Sequence, residues 1–216
     1  LQDLVSQKVI LGLKLQFSDS TGISYNPDIP GNSLAFDYYL KSISYPRTLE
    51  GCRSAVNMLE KSILLDSGYA PYYYELGFRN HRLAVYGING EEKIKDAENA
   101  YLKALSLNKN LLSALSELAN LYTNTGRIEQ SYELLKRALL INPNNPYINF
   151  SLGHVYRYSG QLLKSEKVFD KAIALDPGDS RIKSGKIITL MYLNKYEDAL
   201  EIAGSIEQSP LTLYYS

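Results

Sequence analysis

Apolar residues recur along most of the chain at spacings of three and four, the pattern of helices that each bury one face. One such stripe precedes the glycine at position 126 and comprises Leu112, Leu115, Leu118, Ala119 and Tyr122. A second stripe follows that glycine and comprises Ile128, Tyr132, Leu135, Ala138 and Leu139. The pattern therefore predicts two helices joined by a tight turn within residues 112–145.

This helix pair recurs with a period of 34 residues, the separation of Gly126 and Gly160. Five further pairs of residues have the same spacing: Leu118 and Leu152, Tyr122 and Tyr156, Ser131 and Ser165, Ala138 and Ala172, and Pro143 and Pro177. One more step of 34 reaches Asn194 and Ala199. A repeat of this length indicates stacked helical hairpins, each of which buries its apolar face against its neighbours.

The residues between the stripes predict where the helices end. Gly126 and Gly160 allow the positive φ that ends a helix, and Asn194 is the next best residue at such a position. Asn142 precedes a proline, which disfavours the α conformation and so ends the second helix. Small residues should lie where two helices approach closely, and large ones should fill the wider gaps. The small residues are Ala119, Ser131, Ala138, Gly153, Ser165, Ala172 and Ala199, and the large ones are Tyr122, Leu135, Tyr156 and Phe169.

This set of residues resembles the tetratricopeptide repeat (TPR). The family pattern is matched in order by Leu152-Gly153, Tyr156, Ser165, Ala172 and Pro177, with serine in place of the first alanine. The resemblance implies an all-α, right-handed superhelical solenoid of about five antiparallel helix pairs. The repeats fall at about 33–69, 70–111, 112–145, 146–179 and 180–213, and together they form a predicted solenoid domain over 33–216.

Two regions depart from the pattern. In the repeat at 70–111, about eight extra residues are expected in the turn around Tyr86–Glu92, where two glycines favour a loop. Residues 1–32 precede the repeats and are predicted to form a helix and a linker. The helix carries an apolar stripe over 1–15 and could pack on the first repeat or belong to an upstream domain.

Composition narrows the range of functions. Lys plus Arg and Asp plus Glu both number 23, so the formal net charge is zero, and no nucleic-acid or membrane partner is expected. The chain has one cysteine, Cys52, and two histidines, His81 and His154, too few for a zinc site of Cys and His ligands. No nucleotide-binding, hydrolase or metalloprotease motif occurs. We therefore expect no enzyme, no catalytic residue, no metal and no cofactor.

The TPR resemblance implies that certain positions of each first helix line a concave groove. In this sequence they include Tyr74, Phe78, His81, Arg82, Asn120, Asn124, Tyr147, Phe150, His154, Arg157, Tyr158, Arg181 and Tyr192, together with Ser116, Thr123, Ile188 and Met191. The set is aromatic and basic, and tyrosine and arginine are enriched at binding hot spots. Arg157 and Arg181 are candidates for holding a carboxylate or phosphate. In the alternative interpretation these side chains pack between helices or mediate self-association.

One TPR subclass, which binds chaperone tails, is not matched. That subclass needs lysine and asparagine on one first helix and asparagine on the next. Here Asn120 is present, but Ser116 and Ser151 occupy the other two positions. A chaperone carboxyl terminus is therefore not an expected partner.

The order of segments also resembles the TPR region that follows a TolB-like segment in bacterial adenylate cyclases, kinases and transcription regulators. The matching residues are Gln2-Asp3, Ala35, Asp37, Tyr39-Leu40, Gly51, Ala55 and Leu65-Asp66. This resemblance implies a non-catalytic, cytoplasmic regulatory module that binds a protein, a peptide, a neighbouring domain or a second copy.

The alternatives remain open at this point. The chain begins at Leu1 rather than at methionine, so we expect it to be a piece or a processed product. A free-standing scaffold, periplasmic if a signal peptide was removed, is the main alternative. An enzyme is a distant third.

Overall fold

The computed structural model describes residues 29–207, and within them the chain forms ten α-helices and no strand. In chain order these are α1 (Ser33–Ser44), α2 (Leu49–Leu65), α3 (Ala70–Val85), α4 (Gly90–Leu107), α5 (Leu112–Asn124), α6 (Ile128–Ile141), α7 (Pro146–Tyr158), α8 (Leu162–Leu175), α9 (Ser180–Tyr192) and α10 (Tyr196–Glu207). The predicted all-α fold of helix pairs is confirmed. The predicted helix within 1–15, most of its linker and the end of the last repeat lie outside the described residues.

The turns within the later repeats have the predicted backbone. Gly126 and Gly160 have φ of 78° and 75°, and Asn194 has φ of 59°. The amide after each of these residues donates back to a carbonyl near the end of the first helix, as Arg127 N does to Tyr122 O at 2.8 Å. These hydrogen bonds give partners to carbonyls at the helix end that have none within the helix. Helix α6 ends at Ile141, and Asn142 before Pro143 is extended, as predicted.

The repeat at 70–111, which is longer than the others, differs from the prediction. Its two helices, α3 with 16 residues and α4 with 18, are longer than α7 with 13 and α8 with 14. Only four residues, 86–89, separate α3 from α4. The expected eight-residue loop around Tyr86–Glu92 was therefore wrong, because the extra residues mainly lengthen the helices. Asn89 turns the chain with φ of 42°, and α4 then begins with Gly-Glu-Glu-Lys, whose charged residues favour a helix.

Small residues do lie where helices meet. The hydroxyl of Ser131 donates to Ala119 O at 2.7 Å, and that of Ser165 donates to Gly153 O at 2.8 Å. These bonds join the second helix of each pair to the first and explain why serine replaces the alanine of the family pattern. A methyl group could fill the same space but could not donate this bond between the helices.

The chain divides into two compact units, Leu1–Glu117 and Leu118–Ser216, called here the N-terminal and C-terminal units. In the C-terminal unit, the fully buried ring of Phe169 lies at the centre of the packing of α7, α8 and α9. In the N-terminal unit, the fully buried ring of Tyr101 takes the corresponding position beside Gly77. Each unit thus has an aromatic side chain at the centre of its helix packing.

Candidate protein-binding surface

Helices α7 and α9 are the first helices of successive repeats and are neighbours in the C-terminal unit. Arg157 of α7 joins them, because its Nη1 donates to Gly185 O of α9 at 3.1 Å. Its Nη2 lies 3.2 Å from Nδ1 of His154. The guanidinium is thus already engaged by the protein, which the sequence did not indicate. We call the exposed surface of α7 and α9 the first-helix face.

One end of this face is aromatic. The rings of Tyr147 and Phe150 stack with centroids 5.7 Å apart, and the guanidinium of Arg181 lies 5.7 Å from the centroid of Tyr147. Asn120 of α5 donates to the Tyr147 hydroxyl at 2.7 Å. The structure therefore brings together four of the predicted groove residues at this end.

Arg181 is paired with an acidic residue that the sequence reasoning missed. Asp179 precedes α9 and accepts from the backbone amide of Arg181 at 2.9 Å and from its guanidinium at 2.5 Å. The guanidinium lowers the pKa of Asp179, whose carboxylate stays ionised at neutral pH. The prediction counted only groove positions and found no acidic residue. Asp179 could have been found as a helix N-cap, a position that favours aspartate.

The other end of the first-helix face is apolar and exposed. Tyr158 ends α7, and Ile188, Met191 and Tyr192 follow one side of α9 at helical spacing. Their exposed fractions are 57%, 41%, 53% and 65% respectively. We call these four residues the apolar patch. Large apolar side chains grouped on one surface are typical of interaction sites, whereas single exposed ones are ordinary.

His154 lies beneath this face rather than on it. Its ring is 4.5 Å from that of Phe150 and 5.7 Å from that of Phe169, measured between centroids. Its Nε2 is buried and makes no hydrogen bond to the protein. Burial, with the charge of Arg157 beside it, lowers the pKa of His154 to about 4. The imidazole is therefore neutral at physiological pH and serves as a packing group.

Two other predicted positions are also internal, while a third is exposed. The Thr123 hydroxyl is buried and donates to Ala119 O at 2.9 Å, and the buried Ser116 hydroxyl donates to Leu112 O at 2.8 Å. Asn124, at the end of α5, is exposed. Serine and threonine often bond the preceding helical turn in this way, and the family register does not reveal it.

The predicted residues of the N-terminal unit are engaged within that unit. Arg47 covers the ring of Phe78, with its guanidinium carbon 5.1 Å from the centroid. Arg82 donates to the Tyr86 hydroxyl at 3.1 Å. Burial raises the pKa of Tyr74, and burial followed by the charge of Arg82 lowers that of His81. The four predicted groove residues of this unit are half-buried, so each exposes a smaller fraction of its surface than the residues of the apolar patch. They are Tyr74, Phe78, His81 and Arg82.

The sequence reasoning also missed a buried arginine in the N-terminal unit. Arg79 pairs with Glu75 at 2.7 Å, one helical turn away, and its side chain is 3% exposed. Its guanidinium also donates to three carbonyls at the end of α1, those of Ser42, Tyr45 and Pro46, at 3.1–3.3 Å. The i, i+4 spacing of glutamate and arginine was a signal for the pair, but nothing in the sequence pointed to the carbonyls.

Two further findings concern residues 29–207. No group of three or more His, Cys, Asp or Glu side chains there could hold a metal ion. None of the helices in this range is both long enough and apolar enough to cross a membrane.

Family models match the middle of the chain. A TPR repeat model matches residues 119–157, and a tetratricopeptide repeat model matches residues 146–179. Residues 119–179 contain tetratricopeptide repeats. The second match coincides with the repeat predicted at 146–179 from the period of 34. Comparison with curated proteins gave no match.

Solved TPR structures are similar in fold. A thermophilic TPR protein of Thermus thermophilus, TTC0263, is 18% identical with a TM-score of 0.70, over 82% of this chain and 92% of that one. PilF of Pseudomonas aeruginosa is 18% identical with a TM-score of 0.67, over 81% and 76%. MamA of Desulfovibrio magneticus, from residue 41 to its end, is 18% identical with a TM-score of 0.60, over 82% and 95%. At this identity the likeness establishes the TPR fold, which in general mediates contacts between proteins.

Proposed function

We propose that this protein is a non-catalytic interaction module that binds a protein or peptide segment on the first-helix face of its C-terminal unit. The apolar patch is the observation that carries the proposal. Four large apolar side chains from neighbouring first helices stay exposed there, although α9 already buries its other side at Ile182 and Leu190. A helix needs only one apolar side to pack against the rest of the chain. We therefore expect the second, exposed apolar side of α9 to contact a partner.

The chemistry of the face favours an apolar or aromatic ligand over an acidic one. Arg157 bonds the Gly185 carbonyl, and Arg181 is neutralised by Asp179. Both cations therefore already have partners within the protein. The ligand that fits is therefore a segment with apolar side chains for the patch and a ring that packs beside Tyr147 and Phe150.

A peptide selection tests the proposal. The whole chain would be used to select binders from a library of random 12-residue peptides displayed on phage. The affinity of a selected peptide would then be measured for the wild type and for the double variant Met191→Ser, Tyr192→Ser. Because both side chains are more than half exposed, the variant should fold normally and bind at least tenfold more weakly.

Leu140→Ser is the matched control, since Leu140 is 82% exposed on the second helix α6. This variant should bind selected peptides like the wild type. Peptides that are lost with Leu140→Ser but retained by the double variant would contradict the proposed surface, as would a selection that yields no binder.

We further propose that the module regulates a bacterial signalling protein. The resemblance of residues 2–66 to the segment that follows TolB-like regions supports this context. Sequencing the parent gene upstream of the codon for Leu1 tests it. A cyclase, kinase or winged-helix domain in the same reading frame would agree, and a signal peptide or a start codon directly before Leu1 would contradict it.

A further inference from the structure

A second surface of the C-terminal unit is a cleft of about 760 Å³ between α6, the end of α7 and the start of α8. It shares no residue with the apolar patch. Its polar and aromatic lining includes Glu129, Tyr132, Glu133, Tyr156, Gln161 and Lys164. We call it the lateral cleft, and the inference drawn from it does not depend on the proposed function of the first-helix face.

Two tyrosines form one wall of the lateral cleft. The ring centroids of Tyr132 and Tyr156 are 6.1 Å apart, and the ring planes are inclined by 51°. Tyr132 is 37% exposed although its ring is apolar. Two electron-rich ring faces beside a cleft make a surface on which a cation can pack.

The chain itself places a cation on this wall. The Lys164 ammonium lies 5.6 Å from the centroid of Tyr156, within the range of a cation–π contact. It is held there by Gln161, whose side-chain oxygen accepts from it at 2.7 Å. Lysine is flexible and strongly hydrated, so another cation can take its place at little cost.

The charges of the cleft favour such an exchange. Glu129 and Glu133 lie on α6 beside Tyr132, and Lys164 is the one cation among the lining residues. Glu133 has only a loose contact with Lys136, at 3.7 Å with both side chains exposed, which contributes little. Two carboxylates against one ammonium leave the cleft with a net negative charge.

The N-terminal unit has a cleft at the corresponding place that lacks the pair of tyrosines. It is smaller, about 370 Å³, and is lined by Val56 and Asn80 where the C-terminal unit has Tyr132 and Tyr156. Asn80 follows Gly77 by three residues, as Tyr156 follows Gly153. Of its two lysines, Lys93 is paired with Asp96 at 2.7 Å, and the Lys103 ammonium lies 5.8 Å from the ring centroid of Tyr73, the one aromatic residue of its lining. A cation over a single tyrosine thus occurs in both clefts, whereas the wall of two adjacent tyrosines occurs only in the C-terminal one of the two.

We infer that the lateral cleft binds an arginine side chain of a basic partner segment, which displaces Lys164 from the ring of Tyr156. A guanidinium is planar, stacks on aromatic rings and is weakly hydrated, and its five donors can reach Glu129 or Glu133. Lysine of a partner would only replace one ammonium by another. An acidic segment would meet the two carboxylates and be repelled.

Two synthetic peptides test the inference with the whole chain. One is acetyl-Gly-Ser-Arg-Ser-Gly amide, and the other carries citrulline, which has nearly the same shape but no charge, in place of arginine. Binding would be followed by NMR titration at low ionic strength. The arginine peptide should shift the ring signals of Tyr132 and Tyr156, and its affinity should exceed that of the citrulline peptide about fivefold.

Variants of the cleft should change this affinity in opposite directions. Lys164→Gln removes the competing cation and should tighten arginine binding about fivefold, whereas Tyr132→Val with Tyr156→Asn, which copies the N-terminal cleft, should weaken it by a similar factor. Glu60→Gln, in the N-terminal cleft, is the control and should have no effect. Equal affinity for the two peptides, or no tightening by Lys164→Gln, would overturn the inference. Melting curves would establish that each variant folds, and Lys164→Gln keeps the test decisive if the double variant does not.

Discussion

At the scale of single residues, Phe169 shows how the C-terminal unit is held together. A Cβ built on Gly153 would lie 2.8 Å from its ring, and one built on Gly185 would lie 2.6 Å away. The ring therefore fills the space left by two glycines, one on α7 and one on α9. Close approach at Gly153 was predicted from its place in the repeat, but the same role of Gly185 was not, because it lies outside the family pattern.

Gly185→Ala should lower the free energy of unfolding by about 1–3 kcal/mol, because the added methyl overlaps an aromatic ring that is enclosed on all sides. Gly204→Ala is the control. Nothing lies within 4 Å of a Cβ there, so alanine should raise the free energy of unfolding by up to about 1 kcal/mol through its helix propensity. Urea denaturation of the two variants and the wild type measures both changes in the free energy of unfolding. Equal stabilities of the two variants would show that Gly185 is not a site of close packing.

His154 should make stability depend on pH. Its pKa is about 4 in the folded chain, against an ordinary 6.5, so the unfolded chain binds the proton first as pH falls. The free energy of unfolding should therefore drop by about 2–3 kcal/mol between pH 6.5 and pH 4 on account of this residue. His154→Leu should remove that part of the slope while leaving the contributions of His81 and the carboxyl groups. Identical pH dependence in the variant and the wild type would contradict the burial of His154.

At the scale of helices, sequence predicted the ends better than the lengths. Gly126, Gly160 and Asn194 mark turns through their backbone preferences, which are local and therefore readable. The lengths of α3 and α4 depend on how far each helix finds partners along its neighbour, which the local sequence does not state. Gly87 and Gly90 suggested a loop, yet positive φ at Gly87 and at Asn89, the residue before Gly90, was enough to turn the chain.

For the candidate binding surface, too, the sequence predicted local features but not the contacts between helices. The family register identified Tyr158 and Tyr192 as surface positions of first helices, since that depends on helical phase alone. It could not show that Arg157 bonds the Gly185 carbonyl or that Arg181 pairs with Asp179. Those contacts depend on the next helix, on its distance and on which donors and acceptors face it.

The end of α1 depends on one buried arginine. Arg79→Met would remove the hydrogen bonds to three carbonyls and leave Glu75 buried without its cation. The free energy of unfolding should fall by about 3–5 kcal/mol, and the amides of α1 should exchange with solvent faster. Arg53→Met, an exposed position on α2, should change stability by less than about 0.5 kcal/mol. Similar stabilities for the two variants would show that Arg79 is not needed to hold α1.

At the scale of the whole molecule, a chain of zero net charge has few ways to attract a partner over long distances. Recognition therefore depends on contact surfaces, and the C-terminal unit presents two of different chemistry. The first-helix face is apolar and aromatic with its arginines internally bonded, and the lateral cleft is aromatic and acidic. A partner with an apolar segment and an arginine nearby could use both, which would raise its affinity beyond that of either contact alone.

The central claim is that the first-helix face of the C-terminal unit binds the partner, and photo-crosslinking tests it most directly. A peptide selected from the random library would carry a benzophenone side chain at an apolar position, and the crosslinked residues of the chain would be located by mass spectrometry. We predict crosslinks on α7 and α9, at Tyr158, Ile188, Met191 or Tyr192. Crosslinks concentrated on α6 and α8, or in the N-terminal unit, would contradict the account.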